Sequence, residues 1–183
     1  MLADWEVEVG GDAQVIDAAW PGFVDLRTRP ERVSELEECR AWPELVAPLQ
    51  ALNAKGSLVW TTKCDAWTML NFAAEDRDEY DAGPGDECAV ACYVDLLAWP
   101  SVKRAEDFCR ALKASLAEFA IRGARVEFVV RRARLAEGAE GFGVTVYTAG
   151  CGRTHAEARS RLGSALGAWA NSVRGDLIAD RME

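Results

Sequence analysis

The stretch TAGCGRTHAEAR, residues 148–159, places Cys151 between two glycines and follows it with Arg153 and the chain's only histidine, His155. A thiol, a cation and an imidazole before a helix start are the ingredients of an anion site or an activated cysteine, because unpaired N–H groups and the helix dipole favour negative charge. The same residues also have a structural account. Thr154 and Glu157 have the spacing of a capping box, and Gly150 and Gly152 supply backbone angles that other residues avoid. The interval from Cys151 to Arg153 does not reproduce a phosphatase cradle, so the capped turn is favoured over a ligand or thiol site at Cys151, Arg153, Thr154 and His155.

Cys88 and Cys92, with Cys64 on a neighbouring segment, form the second group. Four residues apart on a strand, the two thiols share a face with Val90 and Val94. Zinc sites gather ligands on turns and need four of them, so these cysteines read as small core residues and no metal is expected. The acidic run EDRDEYDAGPGDE, residues 75–87, holds seven carboxylates and one arginine. Its acids and glycines fall out of step with a calcium loop, and a solvated, mobile hairpin loop is the expectation.

A third group alternates along predicted strands. Lys63, Asp65, Tyr93, Asp95, Arg125, Glu127, Arg131 and Tyr147, with Thr61 and Thr145, fall on the polar side of their segments. They read as cross-strand ion pairs or, joined by Trp67, as a groove for a ligand or partner. Asp65 and Asp95 on neighbouring strands are paired acids that could do acid–base work.

The elements that must position these groups follow from periodicity. Residues 1–14 form an edge strand or loose end, and 15–27 read as extended, broken at Pro21 and Gly22. Helices start at Pro30 and Pro43. Residues 57–70 alternate as a strand with Leu58, Trp60, Thr62 and Cys64 on one side and Thr61, Lys63 and Asp65 on the other. Residues 88–99 form a central apolar strand, and a helix runs from 101 to about Arg122 with Gly123 as its stop. Residues 124–135 and 142–150 pair as a hairpin, and a last helix from Thr154 presents Ala158, Leu162, Ala165, Leu166, Trp169 and Val173 on one face. One-sided helices beside strands with a charged face predict an α+β fold: a two-layer sandwich, with a largely antiparallel sheet of about five strands and helices packed mainly on one face. The whole chain, 1–183, reads as a single domain with 174–183 as a loose tail.

Composition narrows the function classes. Half the residues are hydrophobic, so the chain buries a core, and a net charge of −9 opposes binding to nucleic acid or anionic membrane. The start MLADWEVEVGG has neither a basic segment nor an apolar run, and is read as no secretory signal. No run reaches the roughly 18 apolar residues of a membrane span. The six cysteines are expected as reduced thiols in a cytoplasm. A Gly-rich phosphate loop, HExxH, a nucleophile elbow and a CxxC pair are all missing, and no cofactor is called for. The expected role is binding of a protein partner or a second copy, through the open sheet face or a sheet edge. The rival is a small-ligand or anion binder, or a thiol-dependent enzyme, at Cys151–His155.

Overall fold

The computed structural model describes residues 1–8, 14–16, 23–70, 72–98, 104–135 and 140–174. The C-terminal residues 175–183, the hairpin turn at 136–139, and Pro21, Gly22, Trp99 and Pro100 lie outside these.

The elements run β1 (Leu2–Val7), β2 (Gln14–Ile16), a 3-10 turn at Pro30–Glu35, α1 (Glu37–Ala41), a 3-10 turn at Pro43–Leu45, α2 (Val46–Leu52), β3 (Val59–Thr68), a 3-10 helix at Ala74–Tyr80, β4 (Cys88–Ala98), α3 (Ala105–Leu116), β5 (Ala124–Leu135), β6 (Glu140–Gly152) and α4 (His155–Arg174). One sheet has the order β1-β5-β6-β4-β3, and the short β2 continues along the β5 edge beyond β1. The α+β expectation holds. The β3–β4, β4–β6 and β5–β6 pairs are antiparallel, whereas β1 and β2 run parallel to β5, which no local pattern announces. Because β6 lies between β4 and β5, these two strands are parallel and joined over the sheet by α3.

The helices cover one face. Val90, Cys92, Val94 and Leu96 of β4, Val126 and Phe128 of β5, and Val144 and Val146 of β6 meet Leu112 and Leu116 of α3 and Leu162, Leu166 and Trp169 of α4 in one core. The predicted stripe of α4 is fully buried in all six positions. Polar groups inside this layer are paired: the Trp169 indole donates to Thr148 Oγ1 at 3.1 Å, and Ser115 meets Ser172 at 3.0 Å. Gly150 lets α4 cross β6 at backbone contact, since a Cβ there would stand 2.4 Å from Ala158 O and Leu162 N. Its φ is not positive, so it is required for close approach, not for an unusual backbone angle.

Four sequence expectations change. Of the strand read at 15–27, Gln14–Ile16 is a strand, 17–22 lie outside the described residues, and 23–27 are not a strand, with a turn at residues 26–28. The helix read from Pro30 breaks at Leu36, which is extended with ψ 129, into a 3-10 turn and the short α1. α3 ends at Leu116, short of Gly123; Phe119 beyond it is exposed, while Ile121 packs against the core from outside the helix. In β3 a bulge between Thr61 and Lys63 reverses the alternation. Trp60 therefore faces the open side opposite Leu97, while Thr61 turns to the helix side, where Asn53 holds it: Thr61 N donates to Asn53 Oδ1 at 3.1 Å and Asn53 Nδ2 donates to Thr61 Oγ1 at 2.7 Å.

Candidate functional site

Among the described residues, the side of the sheet away from the helices is covered at both ends and open in the middle. At one end Trp60, Leu97, Ala133 and Phe23 form a small second cluster, with the Arg27 guanidinium 4.1 Å over the Trp60 ring. At the other end the 3-10 helix 74–80 rests on β5 and β6, and Tyr80 packs edge-on against Phe72 at 5.7 Å. The acidic run is therefore structured, not a hairpin loop. Asp76 accepts the Ala73 N–H, Arg77 donates to the carbonyls of Pro84 and Asp86, and Asp81 takes a left-handed conformation that ends the helix.

Asp86 ties this segment to α4. Its buried carboxylate accepts Gly83 N–H at 2.8 Å and Arg161 Nη1 at 2.7 Å, and Arg161 also reaches Cys151 O at 2.7 Å and Glu157 at 2.6 Å. Burial alone would raise the Asp86 pKa, but the Gly83 N–H and the Arg161 guanidinium outweigh it and hold the carboxyl below its ordinary range. Gly123, at φ +67, leaves the space that the Arg161 guanidinium crosses.

This arrangement decides where the Cys151 group points. In the β4–β6 register Cys151 stands opposite Ala89 and faces the side away from α4, under the 74–80 segment, with 0% exposure. Burial pushes its thiol up to about 12, with the Asp86 carboxylate raising it further and Arg161 opposing. Arg153, Thr154 and His155 are exposed on the other side of the turn. Thr154 Oγ1 accepts Glu157 N–H at 3.2 Å, and Glu157 accepts Arg153 N–H at 3.1 Å, a capping box displaced by one residue. Thr154 is thus occupied as a cap, and Cys151 is not brought together with Arg153 or His155.

The sheet-face residues do come together. The β3, β4, β6 and β5 registers place Lys63 and Asp65, Tyr93 and Asp95, Thr145 and Tyr147, and Arg125, Glu127 and Arg131 on the open side. Trp67, Tyr93 and Tyr147 form a row across three strands, with ring centroids 6.4 Å and 6.3 Å apart and tilts of 50° and 55°. Trp67 is 39% exposed and the tyrosines are half-buried. Tyr93 is pushed up by burial and by the neighbouring Asp95 and Asp65 carboxylates. Asp95 is buried and accepts the Thr145 hydroxyl at 2.6 Å, and Thr145 in turn accepts Arg131 Nη1 at 3.0 Å. Arg131 is anchored further by Glu8 of the N-terminal segment. The two acids do not form a pair: Asp65 is opposite Tyr93, and Asp95 is opposite Lys63.

Beside the aromatic row lies a cleft of about 250 Å³ lined by Trp67, Tyr80, Tyr147, Glu79, Arg125 and Glu127. Its floor is the cross-strand pair Ala91 and Ala149. Sequence reading missed Glu79 and Tyr80, which sit in the acidic run, and the two alanines. The available signal was the small residue on the same side of each of two adjoining strands. A second hollow, of about 430 Å³, opens where β3 bulges and is lined mainly by apolar side chains, including Phe23, Leu26, Leu36 and Leu49.

Cys64 and Cys92 face the helix core, and burial raises both thiols, Cys92 to about 12. Cys88 is half-exposed, with its Sγ 3.9 Å from Arg153 O. Among the described residues no three His, Cys, Asp or Glu side chains gather as a metal-binding group, and no helix is long and apolar enough to cross a membrane. All six cysteines are free thiols. In comparisons with known proteins, no family model, no curated protein and no solved structure matches this chain.

Proposed function

We propose that this chain acts by binding another polypeptide through the open middle of its sheet. The observation that carries the reading is the Trp67–Tyr93–Tyr147 row, which no described segment covers, between two covered ends of the same face. Aromatic side chains offer large contact area at low entropic cost, and a polar rim around them is the anatomy of a protein interface. Around the row, among the described residues, Lys63, Arg125 and Arg131 stand with Asp65, Asp95, Glu79, Glu127 and Glu8, so charged and polar groups rim the aromatic side chains. Free thiols accord with a reducing, cytoplasmic location. No observation favours chemistry at the Cys151–His155 turn.

The test has two arms, both comparing the wild type with Tyr93→Ser and Trp67→Ser. Light scattering across concentration reads self-association, and affinity capture followed by rebinding of the purified captured protein reads a different partner. Support requires an association that either substitution weakens by about tenfold, the loss expected for an aromatic hot spot. A chain that stays monomeric and captures only proteins indifferent to both substitutions sinks the reading.

A further inference from the structure

Among the described residues, β1 and β3 are the outermost strands of the main sheet path, and each presents one row of backbone groups that no further strand pairs. Such a row invites another chain to add a strand. The ladder bonds fix which residues face outward. In β3, Met69 N donates to Ala89 O, so Lys63, Asp65 and Trp67 turn their backbone groups to β4, while Cys64, Ala66 and Thr68 turn theirs away. The bulge changes the phase, and Val59 and Thr61 face outward before it. In β1, Glu8 N donates to Val130 O, so Ala3, Trp5 and Val7 face outward. Side chains occupy these outward donors at intervals. Val59 N donates to Ser57 Oγ at 3.3 Å, Thr61 N to Asn53 Oδ1 at 3.1 Å, and Ala66 N to Asp65 Oδ1 at 2.7 Å. On β1, Trp5 N donates to Asp4 Oδ1 at 2.8 Å. Both aspartates are exposed, and each folds onto the N–H of the residue that follows it. The occupied donor falls in the middle of the accessible run on both strands: Ala66 separates Cys64 from Thr68, and Trp5 separates Ala3 from Val7.

We infer that Asp65 and Asp4 guard the two edges of the sheet and hold the molecule against strand addition by a second copy. An added strand makes its bonds at alternate residues, so it must use successive outward donors. At Ala66 or Trp5 its carbonyl would replace a charge-assisted hydrogen bond by an ordinary one, beside a carboxylate that repels it. Without that donor the strand keeps single N–H bonds on either side of a gap, too few to hold it. The bulge of β3, with Asn53 and Ser57 on the donors before it, closes the rest of that edge. The guard does not depend on the aromatic row.

The experiment measures self-association of the intact chain by sedimentation velocity across concentration, with amide hydrogen exchange read on the same samples. Asp65 is exposed, so Asp65→Ala leaves the packing intact while opening Cys64, Ala66 and Thr68 as three successive donors. It is expected to raise the self-association constant at least about tenfold over wild type, and to slow exchange of those three amides as concentration rises. Adding Ala66→Pro removes the opened donor at a position whose N–H makes no bond to β4, and is expected to restore the wild-type constant with the aromatic row untouched. Asp78→Ala removes one negative charge away from the sheet edges and is expected to behave as wild type. Asp4 also pairs with Lys113 at 2.9 Å, so β3 carries the test. Unchanged association of Asp65→Ala, equal association of Asp78→Ala, or association without slowed exchange at Cys64, Ala66 and Thr68 overturns the inference. So does an Asp65→Ala chain that associates as strongly with Ala66→Pro as without it.

Discussion

Replacing Asp86 with Ala removes a side chain that fastens residues 72–87 to α4. Its carboxylate is 6% exposed and takes two hydrogen bonds, from Arg161 at 2.7 Å and from Gly83 N–H at 2.8 Å. A hydrogen bond to a charged group contributes about 1.5–3 kcal/mol, and an N–H left without its acceptor costs about 1–3 kcal/mol. Breaking a buried ion pair by removing one partner costs about 3–5 kcal/mol when the other charge is stranded. Arg161 is not stranded, since Glu157 and Cys151 O still hold it. The expected loss is therefore at the lower end, about 2–4 kcal/mol. In urea unfolding with m near 2 kcal/mol/M, this lowers the midpoint by about 1–2 M with m unchanged. Asp86→Asn keeps an acceptor for Gly83 and is expected to lose less. The pH dependence has a definite sign. The folded Asp86 pKa lies below its unfolded value of about 3.9, so its contribution is complete above that value and is lost as pH falls through the lower, folded pKa. The gap between wild type and Asp86→Ala should stay constant from neutral pH to about pH 5 and close below about pH 4. A gap under about 1 kcal/mol at pH 7, or one that widens on acidification, refutes the clasp.

Three further outcomes follow from the packing. Gly150→Ala drives a Cβ to 2.4 Å from the α4 backbone and should cost about 3 kcal/mol, read as a Tm lower by roughly 6–12 °C. Trp169→Phe leaves Thr148 Oγ1 without its indole donor and opens space in the core, with an expected loss of about 1–3 kcal/mol in chemical denaturation. Thiol labelling of the native chain, mapped by mass spectrometry, should modify half-exposed Cys88 first, while Cys92, Cys109 and Cys151 react only on unfolding; early labelling of Cys151 would contradict its position under the 74–80 helix.

The helix layer was legible in the sequence wherever a single stripe was buried against a single sheet. The six apolar positions of α4 and the alternation of β4, β5 and β6 follow from period alone. What the sequence hid was non-local or depended on one residue of register. The bulge at Thr61–Lys63 puts Trp60 and Cys64 on opposite sides, and no residue type marks it. Parallel pairing of β1 with β5 joins segments more than a hundred residues apart, so no turn signal announces it. The acidic run reads as solvated from composition, yet Asp86 within it is buried because its partner, Arg161, comes from the last helix. Of the site residues, the polar row could be read from alternation; its cleft could not, since the cleft exists only where Ala91 meets Ala149 across the sheet.

The strand order carries a consequence for how the molecule is made. The middle position of the sheet belongs to β6, which is also the last strand among the described residues. Until residues 140–152 have been synthesised, the β3–β4 hairpin and the β1–β5 pair are two half-sheets, each with an apolar inner edge and nothing to join it. Such edges are the templates on which chains aggregate, so a nascent chain stopped at residue 139 is a client for chaperones, whereas adding 35 more residues, to the end of α4, closes both edges and supplies their covering helix in one step.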